Sequence, residues 1–148
     1  KTMIAKNLAQ QAALAGASVR FFTVSEMLNT LAEQQSSASL HRKIAFFCRP
    51  QLLVLDELGY LSYDSRHADL LFEVVSRRYL ERPLLVTTNK PFAEWGEVFP
   101  NATCVVTLVD RLVHRCEVVP IEGSSYRLKE SKDLAKHRAQ ERSSRKRP

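Results

Sequence analysis

The sequence predicts one α/β sandwich built on a mainly parallel β-sheet. Two continuous apolar runs, residues 51–55 (QLLVL) and 84–88 (LLVTT), have the pattern of strands that are buried on both faces. Segments with the apolar spacing of helices alternate with the strands, as the crossover connections of a parallel sheet require. A chain of 148 residues is long enough to bury a hydrophobic core.

Each predicted element has a local reason. The Ala-rich first helix should end at Gly16, because glycine readily adopts the left-handed conformation that terminates helices. Ser25 is expected to cap the second helix with its hydroxyl, Pro50 to end the third, and Pro120 to interrupt the last strand. The expected order is a helix up to residue 16, a strand at 18–23, a helix at 25–32, a short helix ending near residue 48, a strand at 51–55, a helix at 66–80, a strand at 84–88, a short helix or turn at 92–99, a helix at 103–116 and a strand at 117–121.

The composition argues against a membrane-spanning or disulfide-rich protein. No apolar run approaches the roughly 18–20 residues that cross a bilayer, and no signal peptide is evident, so we expect a cytoplasmic protein. The odd cysteine count and the absence of a CxxC pair argue against a disulfide framework. We expect Cys48, Cys104 and Cys116 to be reduced and mostly buried, and no histidine clusters with them to form a zinc site.

The net charge of +6 is concentrated at the C-terminus. Residues 129–148 contain eight Lys or Arg and three acids, so the preceding body is nearly neutral. A basic tail on a neutral domain indicates an anionic partner, with nucleic acid as the first candidate and a solvated terminus as the alternative. The candidate phosphate contacts are Lys136, Arg138, Arg142, Arg145, Lys146 and Arg147.

The strongest chemical signal is LLVLDELGY, residues 52–60. Its apolar strand delivers Asp56 and Glu57 to the C-terminal end, where ligands bind in open α/β sheets. Packing explains two adjacent carboxylates poorly, because burying them without partners is costly. In a P-loop ATPase the first acid holds Mg²⁺, usually through water, and the second orients or deprotonates the attacking water. A polar strand end with two exposed acids is the alternative.

The first two residues, Lys1 and Thr2, become informative because an apolar strand that ends in an acid pair follows them in the sequence. A phosphate-binding loop reads GxxxxGK[ST], with its Lys on the β- and γ-phosphates and its hydroxyl on Mg²⁺. The helix that follows Thr2 offers backbone N–H groups to an anion. The glycines of such a loop do not precede Lys1 in this sequence, so we infer that the loop is interrupted at this point.

Asn89 and Arg127 are weaker signals. Asn89 directly follows the second buried strand and could hold the attacking water near a γ-phosphate, or it could simply begin the turn before Pro91. Arg127 follows a short predicted strand. It could contact the γ-phosphate of its own subunit or be exposed.

The segment VDRLVHR, residues 109–115, places Arg111 and Arg115 on one helix face. One of these cations could reach the nucleotide of a neighbouring subunit, because arginine stays charged and presents a planar fork to phosphate. A surface helix with an Asp110–His114 pair is the alternative.

In this order, the motifs resemble the IstB/DnaC-like branch of the AAA+ ATPases, and within it the IstB-type transposition helpers. The resemblance covers nearly the whole chain through Lys1-Thr2, LLVLDELGY, LLVTTN, VDRLVHR and GSSYRLK. It implies a three-layer P-loop sandwich that lacks its first strand, with residues 1–128 as an incomplete ATPase core and 129–148 as a basic tail. It also implies a Walker A lysine at Lys1, a Mg²⁺ ligand at Thr2, Walker B acids at Asp56 and Glu57, a sensor-1 residue at Asn89, an arginine finger at Arg111 with Arg115 as second choice, and a sensor-2-like Arg127.

The resemblance further implies an ATP- and Mg²⁺-dependent ATPase that forms oligomers on double-stranded DNA and assists a transposase. A DnaC-like helicase loader and a non-catalytic truncated remnant are the alternatives. A kinase-like transferase is disfavoured, because the arginines follow the sensor strand in AAA+ order. Without the glycine-rich loop, we expect these 148 residues alone to be less stable than a whole domain and to bind ATP poorly.

Overall fold

The computed structural model of the protein describes residues 1–100 and 102–121. Strands and helices alternate along these ranges as predicted, and the strands form a parallel sheet. The elements are α1 (Thr2–Leu14), β1 (Val19–Thr23), α2 (Val24–Ala32), α3 (Ser37–Cys48), β2 (Leu52–Leu58), α4 (Ser65–Arg78), β3 (Leu84–Thr88), a 3₁₀ turn (Phe92–Glu94), α5 (Trp95–Val98) and α6 (Val105–Val113).

The sheet has the strand order β1-β2-β3, so β2 is central. Both neighbours run parallel to it, with Val19 opposite Leu52 on one side and Leu84 opposite Leu53 on the other. Most of β2 is buried, whereas β1 and β3 are half-buried along their length. Because all three strands are parallel, their C-terminal ends lie at one edge of the sheet, the edge at which α/β folds bind ligands.

Helices cover both faces of this sheet. Leu53 and Leu55 of β2 belong to the large core that also includes buried residues of α2, α4 and α6. Val54 belongs to the opposite face, where it packs with Ala5 and Ala9 of α1. Successive strand residues point to opposite faces, so one central strand holds the two helical layers together in a three-layer sandwich.

The start of α2 is fixed by a reciprocal cap at Thr23. Its hydroxyl accepts a hydrogen bond from the Glu26 amide, and the Glu26 carboxylate accepts one from the Thr23 amide at 2.8 Å. The prediction that Ser25 caps this helix is therefore wrong, because Thr23 has the glutamate three residues later that completes a capping box. Ser25 lies in the first turn and hydrogen-bonds the Tyr63 hydroxyl at 2.8 Å.

Other sequence predictions fail toward the end of the described region. Residues 117–121 form no strand, because none of them pairs with the sheet and a strand requires such pairing. The last described helix, α6, is shorter than the predicted 103–116, since the backbone becomes extended at His114. The three cysteines are free as predicted, but Cys48 and Cys104 are only half-buried and Cys116 is exposed.

A buried arginine organises the N-terminal edge of the sheet. Arg78, the last residue of α4, is 1% exposed, and its guanidinium donates to backbone carbonyl oxygens. Burial lowers the pKa of Arg78. The carbonyls lie between the end of α3 and the start of β2, or directly before β3, so this one side chain fixes both strand starts. The acceptors, at 2.6–3.5 Å, belong to Phe47, Cys48, Pro50, Gln51 and Pro83.

The chain divides into two compact units. The first, Lys1–Val118, contains every helix and strand given above. Of the second, Val119–Pro148, the structure describes only residues 119–121, which are exposed. The predicted division into 1–128 and 129–148 falls outside the described residues and stays a prediction. None of the described helices is long and apolar enough to cross a membrane.

Candidate functional site

The two acids form a bulge at the C-terminal end of β2. Strands β2 and β3 are in register as far as Leu55, and they pair again at Leu58. Between these positions Asp56 and Glu57 lie opposite a single residue of β3, Thr87. Glu57 has a φ of 67°, a left-handed conformation that is uncommon for a residue with a side chain. Because a bulge redirects side chains, this irregularity sets the directions of both carboxylates.

Thr87 contacts both residues of the acid pair. Its hydroxyl donates a hydrogen bond to Asp56 Oδ1 and accepts one from the Glu57 amide at 3.1 Å. Asp56 is only 2% exposed, and within the described ranges Thr87 is its one side-chain hydrogen-bond donor. An ionised carboxylate has about four acceptor positions, so Asp56 keeps most of its capacity to bind a cation or water.

Asn89 lies close to the strand that carries the acids, because Gly59 leaves room for its side chain. Its backbone N–H donates to the Leu58 carbonyl at 3.3 Å. A Cβ atom added to Gly59, whose φ is 94°, would lie 2.6 Å from Asn89 Oδ1. Only a residue without a side chain allows this approach, and the approach brings Asn89 to the edge that carries Asp56 and Glu57.

Lys1 and Thr2 begin α1 beside the end of β3. Lys1 is the N-cap residue, and its ammonium Nζ donates to the Thr88 carbonyl at 2.8 Å. Thr88 directly follows Thr87, so the lysine lies at the same edge of the sheet as the acid pair. This edge therefore brings together four of the side chains that the sequence singled out, while Thr2 occupies the first turn of the adjoining helix.

The turn after β3 is held by its own ion pairs. Lys90 Nζ lies 2.6 Å from a Glu97 carboxylate oxygen and 3.3 Å from one of Glu94. The hydrogen bonds that Lys90 donates, first to Glu97 and then to Glu94, raise the pKa of Lys90. The Lys90 amide also donates to the Thr88 hydroxyl at 3.1 Å. Asn89 is thus anchored on both sides, by the strand end and by an ion-paired turn.

The two arginines of α6 have different environments. The Arg111 guanidinium lies over the Phe72 ring at 4.6 Å and near the Tyr79 ring at 5.7 Å, and it donates to the Ser76 hydroxyl. All three of these partners come from α4 or the residue after it. Arg115 is exposed and has a φ of 58°. Arg111 is therefore engaged within its own chain, whereas Arg115 faces solvent.

Several sequence interpretations are corrected or stay open here. The Asp110–His114 pair considered as an alternative is not formed, because His114 Nδ1 instead hydrogen-bonds the Tyr79 hydroxyl at 2.6 Å. Arg127 lies outside the described residues, so its role stays a prediction. The same holds for the tail residues Lys136, Arg138, Arg142, Arg145, Lys146 and Arg147.

The donor set at this edge fits a magnesium ion whose other ligands come from outside the protein. Among residues 1–100 and 102–121 there is no group of three or more His, Cys, Asp or Glu side chains that could form a complete metal cage. Magnesium is commonly held by one or two carboxylates together with substrate phosphates and waters. The nearly buried Asp56, with acceptor capacity to spare, suits that mode of binding.

Fold and site together define a class of protein. The parallel sheet lies between helical layers, and one edge carries an acid pair, an asparagine and a lysine at a helix N-cap. This is the architecture of the AAA+ P-loop ATPases. A DNA replication initiation factor of known crystal structure shares this fold, with a TM-score of 0.68 and 19% sequence identity over 93% of this chain and 41% of that one.

The chain belongs to the family of IstB-like ATP binding proteins, whose model matches residues 1–134. Similar proteins include one named as an ATP-binding protein of insertion sequence IS5376 from Geobacillus stearothermophilus, 35% identical over 132 residues. Another, from insertion sequence IS21 of Pseudomonas aeruginosa, is 36% identical over 132 residues. Each match covers 89% of this chain but only 53% and 50% of the relatives, so the chain spans about half their length. The family resemblance inferred from the motifs is confirmed.

Thr87 and Gly59 are site residues that the sequence analysis missed. Thr87 stood within a predicted strand, and only the bulged register places it opposite two acids. Two signals were present in the sequence: consecutive hydroxyl residues at the end of an apolar strand, and a glycine two positions after the acid pair.

Proposed function

We propose that this chain is the ATP-binding and ATP-hydrolysing part of a helper protein for DNA transposition, which assembles on double-stranded DNA and assists a transposase. The observation that carries the proposal is the clustering of Lys1, Asp56, Glu57 and Asn89 at one sheet edge, in a family whose relatives are named for insertion sequences. Each of these side chains has a distinct part in binding or hydrolysis.

Lys1 and Thr2 provide the phosphate-binding end. An ammonium group at a helix N-terminus adds a full charge to the partial positive charge of the unpaired amides, and both attract the β- and γ-phosphates. Lys1 currently donates to the Thr88 carbonyl, a neutral acceptor that a phosphate oxygen can replace at little cost. The Thr2 hydroxyl is the natural second ligand for magnesium.

Asp56 would hold the magnesium ion, directly or through water. The ion held there would supply positive charge to the phosphates of the nucleotide. Two features of Asp56 suit this role, its low exposure and its single hydroxyl donor in the described region. A nearly buried carboxylate with one hydroxyl donor gains more from a cation than one that already pairs with arginine or lysine, and no such pair with Asp56 is formed within residues 1–100 and 102–121.

Glu57 and Asn89 would act on the attacking water. Glu57 is half-buried, so its carboxylate can reach solvent while its backbone is fixed by the bulge. It is the general base or orienting group, and Asn89 on the adjacent strand is a second acceptor and donor for the same water. The close approach through Gly59 supports this pairing.

Hydrolysis would be completed by arginines and would therefore depend on assembly. Arg111, or Arg115 as the second candidate, would reach the γ-phosphate bound by a neighbouring subunit, and Arg127 the γ-phosphate bound by its own. The exposure of Arg115 favours it as the more accessible cation, whereas the motif position favours Arg111. A planar guanidinium suits either role because it can neutralise two phosphate oxygens at once.

Two basic regions support DNA as a partner. One is the tail already named. The other lies in the described region, where Arg42 and Lys43 line a depression of about 300 Å³ with Phe46, whose ring stacks under Arg20 at 3.3 Å. Cations interleaved with an aromatic ring are typical of surfaces that contact nucleic acid backbones and bases.

The proposal is tested by measuring ATP hydrolysis by a chimera. In it, the N-terminal segment of the Geobacillus stearothermophilus protein is fused to the start of this chain. We expect ATP turnover that rises with duplex DNA. Glu57→Gln should reduce the rate by roughly 10²–10⁴-fold, the usual contribution of a general base, without abolishing ATP binding. The exposed Glu33→Gln, at the end of α2, is the matched control and should hydrolyse ATP normally.

Equal hydrolysis by the Glu57→Gln and Glu33→Gln chimeras would contradict the proposed site. An ATP hydrolysis rate that does not rise when duplex DNA is added would contradict the proposed assembly on DNA. The proposed ATPase activity would be unaffected by that result.

A further inference from the structure

We infer that Thr87 is a positioning residue that holds the acid pair in its bulged arrangement. The inference rests on the proposed function, because it concerns how Asp56 and Glu57 are kept ready to act. It is carried by one juxtaposition: a single hydroxyl of β3 lies opposite two residues of β2 and bonds to both.

The directions of these two hydrogen bonds are fixed by chemistry. An ionised carboxylate only accepts, so the Thr87 hydroxyl must donate its proton to Asp56. A backbone amide only donates, so the Glu57 amide must bond to a lone pair of the same oxygen. The hydroxyl therefore acts as a two-way bridge, and neither valine nor a pure acceptor can replace it.

The bridge also compensates for the irregular backbone. A left-handed conformation is sterically unfavourable for a residue with a side chain, and a bulge removes regular ladder hydrogen bonds. At Glu57 the missing ladder partner is replaced by the Thr87 side chain at 3.1 Å. Loss of the hydroxyl would leave the Glu57 amide without this acceptor and Asp56 Oδ1 without this donor.

Residues that orient a metal ligand through hydrogen bonds typically change metal affinity by 10–100-fold when they are removed. Thr87 would orient Asp56 in this way, because its hydroxyl donates a hydrogen bond to Asp56 Oδ1. A threonine is well suited to the position, because its branched β-carbon favours the strand and its hydroxyl points across to the neighbour.

The test uses the 148-residue chain itself with Thr87→Val and Thr87→Ser. Valine keeps the shape of threonine without the hydroxyl, and serine keeps the hydroxyl. Amide hydrogen exchange at Glu57, resolved by NMR, should be at least tenfold faster in Thr87→Val than in wild type, and near wild type in Thr87→Ser. In a parallel titration with Mn²⁺ alone, selective broadening of the Asp56 signal should need about 10–100-fold more Mn²⁺ in Thr87→Val.

The matched control is Thr30→Val, which removes a hydroxyl that donates to the Glu26 carbonyl at 2.7 Å within α2. It should alter neither Glu57 exchange nor the Mn²⁺ titration. Wild-type exchange at Glu57 in Thr87→Val, or equal acceleration in Thr87→Ser, would overturn the inference. If Mn²⁺ leaves Asp56 unaffected in every variant while Glu57 exchange responds as expected, the magnesium site of the proposed function fails and the role of Thr87 in holding the bulge stands.

Discussion

Each end of the sheet has a buried charged side chain, and the two side chains differ in how many hydrogen bonds they form. At the N-terminal edge, Arg78 is 1% exposed and donates to five backbone carbonyls. At the C-terminal edge, Asp56 is 2% exposed and within the described region receives one side-chain hydrogen bond, from Thr87. Burial is the same, but the first charge is almost saturated by the protein and the second is not.

This difference separates a charge that holds the fold together from the charge of the proposed site. A saturated cation stabilises the fold and has little capacity left for a ligand, although its Nε has no partner among the described residues. An undersatisfied anion costs stability and gains by binding a cation. Burial alone therefore does not identify a site, whereas burial together with unused hydrogen-bonding capacity does.

The largest effect is expected at the structural end. Arg78→Met fills a similar volume but leaves five carbonyls without their donor, so the free energy of unfolding should fall by about 4 kcal/mol, at the upper limit for single substitutions. Denaturant titration followed by circular dichroism measures this loss. The adjacent Arg77→Met is the control, because its exposed ion pair with Glu73 at 2.7 Å should be worth less than about 1 kcal/mol. Equal losses in the two variants would remove the contrast between the edges.

A smaller effect is expected from Gly59→Ala at the C-terminal edge, which carries the proposed site. The new Cβ would meet Asn89 Oδ1 at 2.6 Å in a backbone with φ of 94°, so we expect a loss of roughly 2–3 kcal/mol. Gly16→Ala separates the two causes, because Gly16 has a φ of 88° but nothing within 4 Å, and it should lose only about 1 kcal/mol. Thermal unfolding of both variants gives the comparison. If Gly16→Ala is as damaging as Gly59→Ala, the close approach of Asn89 has no energetic weight.

The smallest effect, and of opposite sign, is expected at Glu57. Glycine accepts a φ of 67° without steric strain, so Glu57→Gly should stabilise the fold by about 0.5–1 kcal/mol after its own entropy cost. Glu57→Gln keeps the strained backbone and should melt at the wild-type temperature. A destabilised Glu57→Gly chain would mean that the bulge carries no strain, which would weaken the view that this edge trades stability for chemistry.

Much of this architecture could be predicted from local sequence. Strands β2 and β3 were visible as apolar runs, although β3 is half-buried and not buried on both faces as predicted. The acid pair was visible as carboxylates at a strand end, and the end of α1 from Gly16. These features depend on residues close together in the chain, and periodicity reports on them directly.

The remainder depends on pairing between distant segments. The bulge arises from the register of β2 against β3, and no local pattern shows that two residues lie opposite Thr87. Arg78 gave no signal as the last residue of an amphipathic helix, because its acceptors are backbone carbonyls from other segments. The strand expected at 117–121 failed for the same reason, since an apolar run becomes a strand only where it has a partner.

In the proposed assembly, recruitment of Arg111 by a neighbouring subunit would compete with its contacts inside its own chain. Its guanidinium already has an aromatic ring at 4.6 Å and a serine hydroxyl within its own chain, contacts of the order of 1 kcal/mol. A neighbour that recruits this arginine must offer more than those contacts, and a triphosphate meets that condition far better than a diphosphate does. The resting position of one side chain would thereby let the proposed assembly discriminate between ATP and ADP.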